Sequence, residues 1–205
     1  MKQEKKEKRV KSASEKIEES LTYTVEVRDK EGRVLQHISA PSRSYVQGWN
    51  KLVNILASGT SKTITDTAGN PILIPKHAVD LKLNAGLSID LFGLRIGKGT
   101  TAVAITDFAL ESPCEEGTGL DEFNHQAVTF TEPSVAGPTC SFTVKRTMIN
   151  NSGALISGIK EISAYPAHAG TGSGTVLGFR DVLGTAVDVP DGGAITVEYT
   201  IGVTA

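Results

Sequence analysis

The sequence predicts an all-β protein: an antiparallel β-sandwich or jelly-roll-like barrel with one flanking α-helix at about residues 43–58 and an N-terminal charged arm. Three observations predict it. Short runs of alternating apolar and polar residues recur, separated by turn signals at intervals of roughly ten residues. The chain holds 21 glycines against 2 methionines and 1 tryptophan, and threonine recurs through its second half. A single stretch carries helical period.

In chain order, Tyr23, Val25 and Val27 alternate with Thr22, Thr24 and Glu26. The run breaks at Asp29-Lys30-Glu31-Gly32 and resumes from Val34 to Ile38, which reads as a β-hairpin over 21–39. Ser42 or Ser44 is then placed to cap a helix. Tyr45, Val46, Trp49, Leu52, Val53 and Leu56 follow helical spacing, and Gly59 supplies the terminating glycine. That apolar stripe is expected to cover a sheet edge or one open end of the core. Beyond Gly59, strands are expected at 72–74, 79–83, 91–96, 102–110, 127–130, 139–150, 154–165, 176–183 and 194–204. Asn150-Asn151-Ser152-Gly153 reads as a hairpin turn, 189–193 as another turn, and 112–124 as an exposed acidic loop. The strands at 139–149 and 194–204 are the best core strands, with Phe142, Val144, Ile195, Val197, Tyr199 and Ile201 lining one face. This gives a charged arm over 1–20 and one β-sandwich domain over 21–205, without an internal repeat.

The stretch "GLRIGKGTTAVAITDFALESP", 93–113, resembles a phosphate-binding loop at first sight. A P-loop needs four residues between its first glycine and the Gly-Lys pair, and a hydroxyl directly after the lysine. Here three residues separate Gly93 from Gly97, and Gly99 follows Lys98. A P-loop also runs into a helix, whereas Thr100, Thr101, Val103, Ile105 and Thr106 are β-branched and favour strands. The stretch therefore reads as strand–turn–strand, and a nucleotide cofactor is not expected.

Hydrophobic residues make up 39% and charged residues 21% of the chain, a soluble globular balance. No apolar run approaches the roughly 20 residues of a membrane span, and the N-terminus lacks the apolar segment of a secretory signal. Synthesis in a cytoplasm is expected. Residues 1–20 hold seven Lys/Arg and five Asp/Glu; the remainder holds 14 basic and 18 acidic residues. A basic arm on an acidic body suits nucleic acid or an acidic partner surface, of which nucleic acid is the less expected. The arm is too polar to form a core, so it is expected to contact a neighbouring subunit or a particle surface. Lys5, Lys6, Lys8, Arg9 and Lys11 would meet acidic groups there, among them Glu115, Glu116, Asp121 and Glu122.

Catalytic chemistry is not expected. The acidic cluster at 115–122 lacks the alternate-position spacing of a calcium loop, and no G-x-S-x-G, H-E-x-x-H or Cys–His arrangement occurs. Cys114 and Cys140 read as unpaired thiols, because their spacing forms no CxxC unit and no secretory context supports a disulfide. A metal site built with His125 would lack a fourth ligand. His37, His77, His125 and His168 therefore read as surface or structural residues. Aromatics are 5% of the chain and form no stacking ladder for nucleic acid. Tyr165 is the one candidate for an exposed sugar-binding aromatic, and Trp49 reads as core.

Three segments, "FGLRIGKGTTAVAITDFALESP", "CSFTVKRTMINNSGALISGIKEISAY" and "FRDVLGTAVDVPDGGAITVEYTIGVT", resemble in that order poorly characterised virion structural proteins of tailed bacteriophages. Members commonly carry a "GTGTTAV" turn, "DYALE", "NNSG", "EIGLY" and a final "RDVL…VPNG…VTYTI". The segment "RSYVQGWNKLVNIL" resembles their upstream half. The likeness spans 22–205 and excludes the arm. This chain departs from it at Ser163 and Ala164, where glycine and leucine are usual, and in a more acidic 112–124 loop.

The resemblance implies an all-β particle component that docks and self-associates as a capsid decoration, neck or tail part, with copies of itself and other virion proteins as partners. It implies residence in the virion, no cofactor and no enzymatic activity, and it carries over no functional residue. The alternative is a receptor- or glycan-binding module at a tail-fibre tip.

Overall fold

The computed structural model describes residues 18–168 and 174–205, and the fold is all-β with one helix. The arm residues Lys5, Lys6, Lys8, Arg9 and Lys11 lie outside the described residues. The first hairpin forms as the alternation predicts, with β1 (Glu18–Arg28) antiparallel to β2 (Val34–Ser42). Asp29 closes its turn: Oδ1 accepts from the backbone N–H of Glu31 (3.1 Å) and Arg33 (2.9 Å), and Gly32 takes the positive φ of 83°.

Helix α1 (Gln47–Ser58) follows. Gly59 ends it in the left-handed conformation with its N–H on Ile55 O, as expected. Its start differs from expectation. The N-cap is Val46, without a side-chain bond, and the Ile105 carbonyl accepts the free Gln47 N–H at 2.9 Å. A carbonyl from a distant loop thus does the work assigned to Ser42 or Ser44. The buried face is Gly48, Leu52 and Ile55, while Val53 (39%) and Leu56 (51%) face solvent.

Two short strands, β3 (Lys62–Thr65) and β4 (Pro71–Ile74), form a hairpin against the helix. Leu52, Ile55, Ile64, Ile74 and Val176 make a satellite core there. The main core lies between two sheets. The large sheet runs β2-β1-β13-β10-β7-β6, with β13 (Ala194–Thr204), β10 (Thr139–Ile149), β7 (Glu122–His125) and β6 (Glu115–Glu116). Short strands β8 (Thr129–Phe130) and β9 (Ser134–Ala136) also pair with β10. The small sheet runs β12-β11-β5, with β12 (Phe179–Val189), β11 (Ile156–Tyr165) and β5 (Gly93–Gly97). Val25, Val27, Val144, Met148, Ile195, Val197 and Tyr199 from the large sheet meet Leu94, Ile96, Ile162, Phe179, Leu183 and Val187 from the small one.

The turns at 150–153 and 189–193 are not hairpins. Each carries the chain from one sheet to the other, since β10 and β13 lie in the large sheet and β11 and β12 in the small one. Asn150 ties both crossings together. Its fully buried Nδ2 donates to Ala154 O and Val189 O, each at 2.8 Å, and its backbone N–H to Gly193 O at 2.9 Å. Two expected strands are absent. Residues 79–83 contribute only an isolated bridge between Lys82 and Ala167, and 102–110 is a loop. The expected acidic loop at 112–124 contains instead the parallel pair β6 and β7.

Candidate functional site

The loop from Lys98 to Ser112 projects from the small sheet, and two buried side chains from β11 and β12 hold it. Glu161 is fully buried in β11. Its Oε1 accepts the backbone N–H of Gly99 (2.9 Å) and Ser112 (2.8 Å), and its Oε2 that of Glu111 (3.1 Å). Arg180 in β12 donates Nε to the same Oε2 at 2.9 Å and Nη1 to Asp107 Oδ2 at 2.9 Å. Glu111 closes the loop on itself, its Oε2 accepting from Thr100 N (2.8 Å) and Thr101 N (2.9 Å). Those N–H groups therefore bond to carboxylates where a strand would use a neighbouring backbone.

This explains the two glycines that flank Lys98. A Cβ on Gly97 would lie 2.5 Å from Ser112 O and 2.6 Å from Glu161 Oε1; one on Gly99 would lie 2.5 Å from Glu111 Cβ. The glycines let the loop backbone close on a carboxylate. Lys98 itself points to Asp121, with which it forms an ion pair. Between the loop and β12 lies an open cleft of about 360 Å³, lined by Thr101, Thr106, Asp107, Phe108, Glu111 and Arg180 among others. Val103 (37%), Ile105 (61%) and Phe108 (44%) present apolar surface from the loop to solvent.

Next to Arg180, Asp181 takes the two serines that the helix does not use. Its Oδ2 accepts from Ser42 Oγ (2.8 Å), Ser44 Oγ (2.8 Å) and the Tyr199 hydroxyl (2.9 Å). Burial raises its carboxyl above the usual range, partly offset by those hydroxyls. Tyr199 packs edge-on against Phe179, and Tyr45 and Trp49 extend the aromatic group toward the helix. Tyr165, the expected sugar-binding aromatic, is 4% exposed, and its oxygen accepts Leu110 N–H at 2.6 Å. Burial pushes its hydroxyl up to about 12. It offers no face to a sugar.

Register pairs Glu115 with Glu122, and the acidic residues at 115–122 already have partners within this chain. Glu115 Oε2 accepts from Arg95 Nη2 at 3.2 Å, Asp121 pairs with Lys98, and Glu122 accepts Gly119 N–H at 2.7 Å. Glu116 Oε2 accepts both the backbone N–H (2.7 Å) and Nδ1 (2.9 Å) of fully buried His125. Both groups facing Nδ1, Glu116 Oε2 and Phe123 O, are acceptors, which fixes the proton there and leaves Nε2 bare. Burial, then the Arg146 charge, holds the imidazole below its ordinary range. Arg146 is fully buried among the carbonyls of Gln126, Phe92, Leu94, Gly86 and Ile89, and burial lowers it to about 10.

Glu161, Arg180, Asp181 and Arg146 were not among the residues singled out from the sequence. A signal existed for Arg146, which falls on the core-facing parity of its strand between Val144 and Met148. Cys114 is buried, its thiol pushed up to about 12 chiefly by burial; Cys140 is half-exposed, and both are free. Among the described residues no three His, Cys, Asp or Glu side chains are grouped to hold a metal ion, and no helix is long and apolar enough to cross a membrane. No family model, curated protein or solved structure matches the chain.

Proposed function

We propose that the protein is a structural component of a tailed-bacteriophage particle, acting by self-association and docking rather than by catalysis. The segments that resemble virion proteins lie far apart in sequence, yet their charged residues meet at one point. Asp107 and Glu111 come from the first segment, Glu161 from the second and Arg180 from the third. That convergence is the observation that carries the reading. Its product is a stiffened loop presenting Val103, Ile105 and Phe108 to solvent, a surface suited to docking on another protein.

Catalytic roles for Glu161, Arg180 and Asp107 fit less well, because both Glu161 oxygens, Arg180 Nε and Nη1 and Asp107 Oδ2 are engaged in holding the loop. Mass spectrometry of purified particles, with copy-number estimation, tests the reading. Hundreds of copies per particle place the chain in a capsid or tail tube, about a dozen in the neck, and a handful at the tip. Absence from particles overturns it.

A further inference from the structure

The large sheet extends past the small sheet that covers it. Cross-strand register places Leu21, Ile201 and Phe142 in one row, and Glu19, Val203, Cys140 and Val135 in the row beyond. Phe130 lies beside Val144. Alternation puts all of them on the face that carries Val144, Val197 and Tyr199 into the core. Yet where those three are sealed, Val203 is 54%, Val135 76% and Phe130 48% exposed. Cys140, Phe142 and Ile201 are only partly buried. The result is an apolar shelf of six residues, with Glu19 at the register position beside Val203 on β1.

We propose that this shelf is the contact between two copies of the chain, packed face to face about a two-fold axis. The proposal rests on the self-association reading above and supplies its surface. Two facts choose the occupant. The segment preceding Glu18, opposite Thr204 at this end of the sheet, is dominated by Lys and Glu, with Val10 and Ile17 its only branched aliphatic residues. It is too polar to cover valine and phenylalanine. Secondly, the same strands a few residues along are already buried against another apolar sheet face. The complement of this surface is thus a sheet face like itself, and a two-fold axis brings one shelf onto another. Two such faces pack about 10 Å apart.

The test is sedimentation velocity of the full chain across a range of concentrations. Wild type is expected to pass from monomer to dimer as concentration rises. The double variant Val135→Asp/Val203→Asp places unpaired carboxylates in the contact and weakens dimerisation by roughly a hundredfold or more. The control Leu73→Asp, on β4 and 65% exposed, leaves it unchanged. Alkylation of Cys140 by iodoacetamide is an independent readout that needs no variant. It slows as wild-type concentration rises. A wild type that stays monomeric, a dimer indifferent to the double substitution, or alkylation independent of concentration overturns the proposal. Particle mass spectrometry separates the two readings: a monomeric chain found in particles removes shelf pairing and leaves the virion role standing.

Discussion

Arg180 Nε and Glu161 Oε2 meet at 2.9 Å, with the arginine side chain 3% and the glutamate 0% exposed. A pair of this kind contributes little against an apolar replacement of both partners, but removing one leaves an uncompensated buried charge. Here removal of the carboxylate also strands the N–H groups of Gly99, Glu111 and Ser112. Glu161→Ala is expected to cost about 3–5 kcal/mol in urea unfolding. Glu161→Ala combined with Arg180→Met should cost less than the sum of the two single changes. Strict additivity, or a loss below about 1 kcal/mol, contradicts the pinned-loop description.

The glycines around Lys98 give a second test. Gly97→Ala and Gly99→Ala each force a methyl group against the Glu161 carboxylate or its neighbours, an overpacking expected to cost about 1–3 kcal/mol. Gly184→Ala is the control, because a Cβ there meets nothing within 4 Å. It should stay within about 0.5 kcal/mol of wild type. Thermal unfolding of the three variants checks the order, and equal effects at all three positions would refute it.

Stability should depend on pH through His125. Its surroundings are Glu116 on β6, Arg146 on β10, and Arg95 and Asp90 from β5 and the loop before it. Its folded pKa is depressed, so the unfolded chain takes up a proton near pH 6.5 while the folded chain does not. Stability from this residue is full above about pH 6.5 and is lost as pH falls toward the folded value. Glu116, held below the carboxylate range by His125 despite its burial, adds a further loss below about pH 4.5. Urea midpoints measured from pH 7.5 to 5 should fall with pH in wild type and fall less steeply in His125→Asn. Parallel curves would remove His125 as the cause.

Tyr165→Phe deletes only the acceptor of the buried Leu110 N–H. Leaving that donor unsatisfied should cost about 1–3 kcal/mol. On a glycan array the same variant should match wild type, because the ring is not at the surface. A loss of saturable glycan binding with unchanged stability would restore the tail-fibre alternative.

The parts legible in the sequence are those where one face is buried and the other is wet. In β1, β10 and β13 a period of two pins both the strand and its core face, and in α1 the closing glycine needs only its own turn. The rest depended on partners far away in sequence. Thr100, Thr101, Val103 and Ile105 have strand propensity, yet Glu111 and Glu161 take up the backbone N–H groups of Gly99, Thr100 and Thr101, with Glu161 62 residues from Gly99. Ser42 and Ser44 have capping chemistry, but Asp181, well over a hundred residues on, accepts their hydrogen bonds. Asn150-Asn151-Ser152-Gly153 has the composition of a hairpin turn, and no local window distinguishes a return within one sheet from a step across to the other. β11 forms within the strand expected at 154–165, but it is buried along most of its length, so no alternation marks which of its faces meets the core.

The order of the large sheet also has a consequence for biosynthesis. β13 is flanked by β1 and β10 along its full length, although it follows every other described strand in the sequence. On the ribosome, β1 and β10 emerge with a gap between them that nothing earlier in the sequence fills. Closing it joins the first described strand to the last, among the longest-range contacts the chain makes, and such contacts form slowly. Nascent chains lacking β13 therefore have no continuous large sheet and no Val203 or Ile201 to complete the shelf. Under the proposed pairing, a chain without β13 lacks two of the shelf's apolar side chains and is expected not to pair.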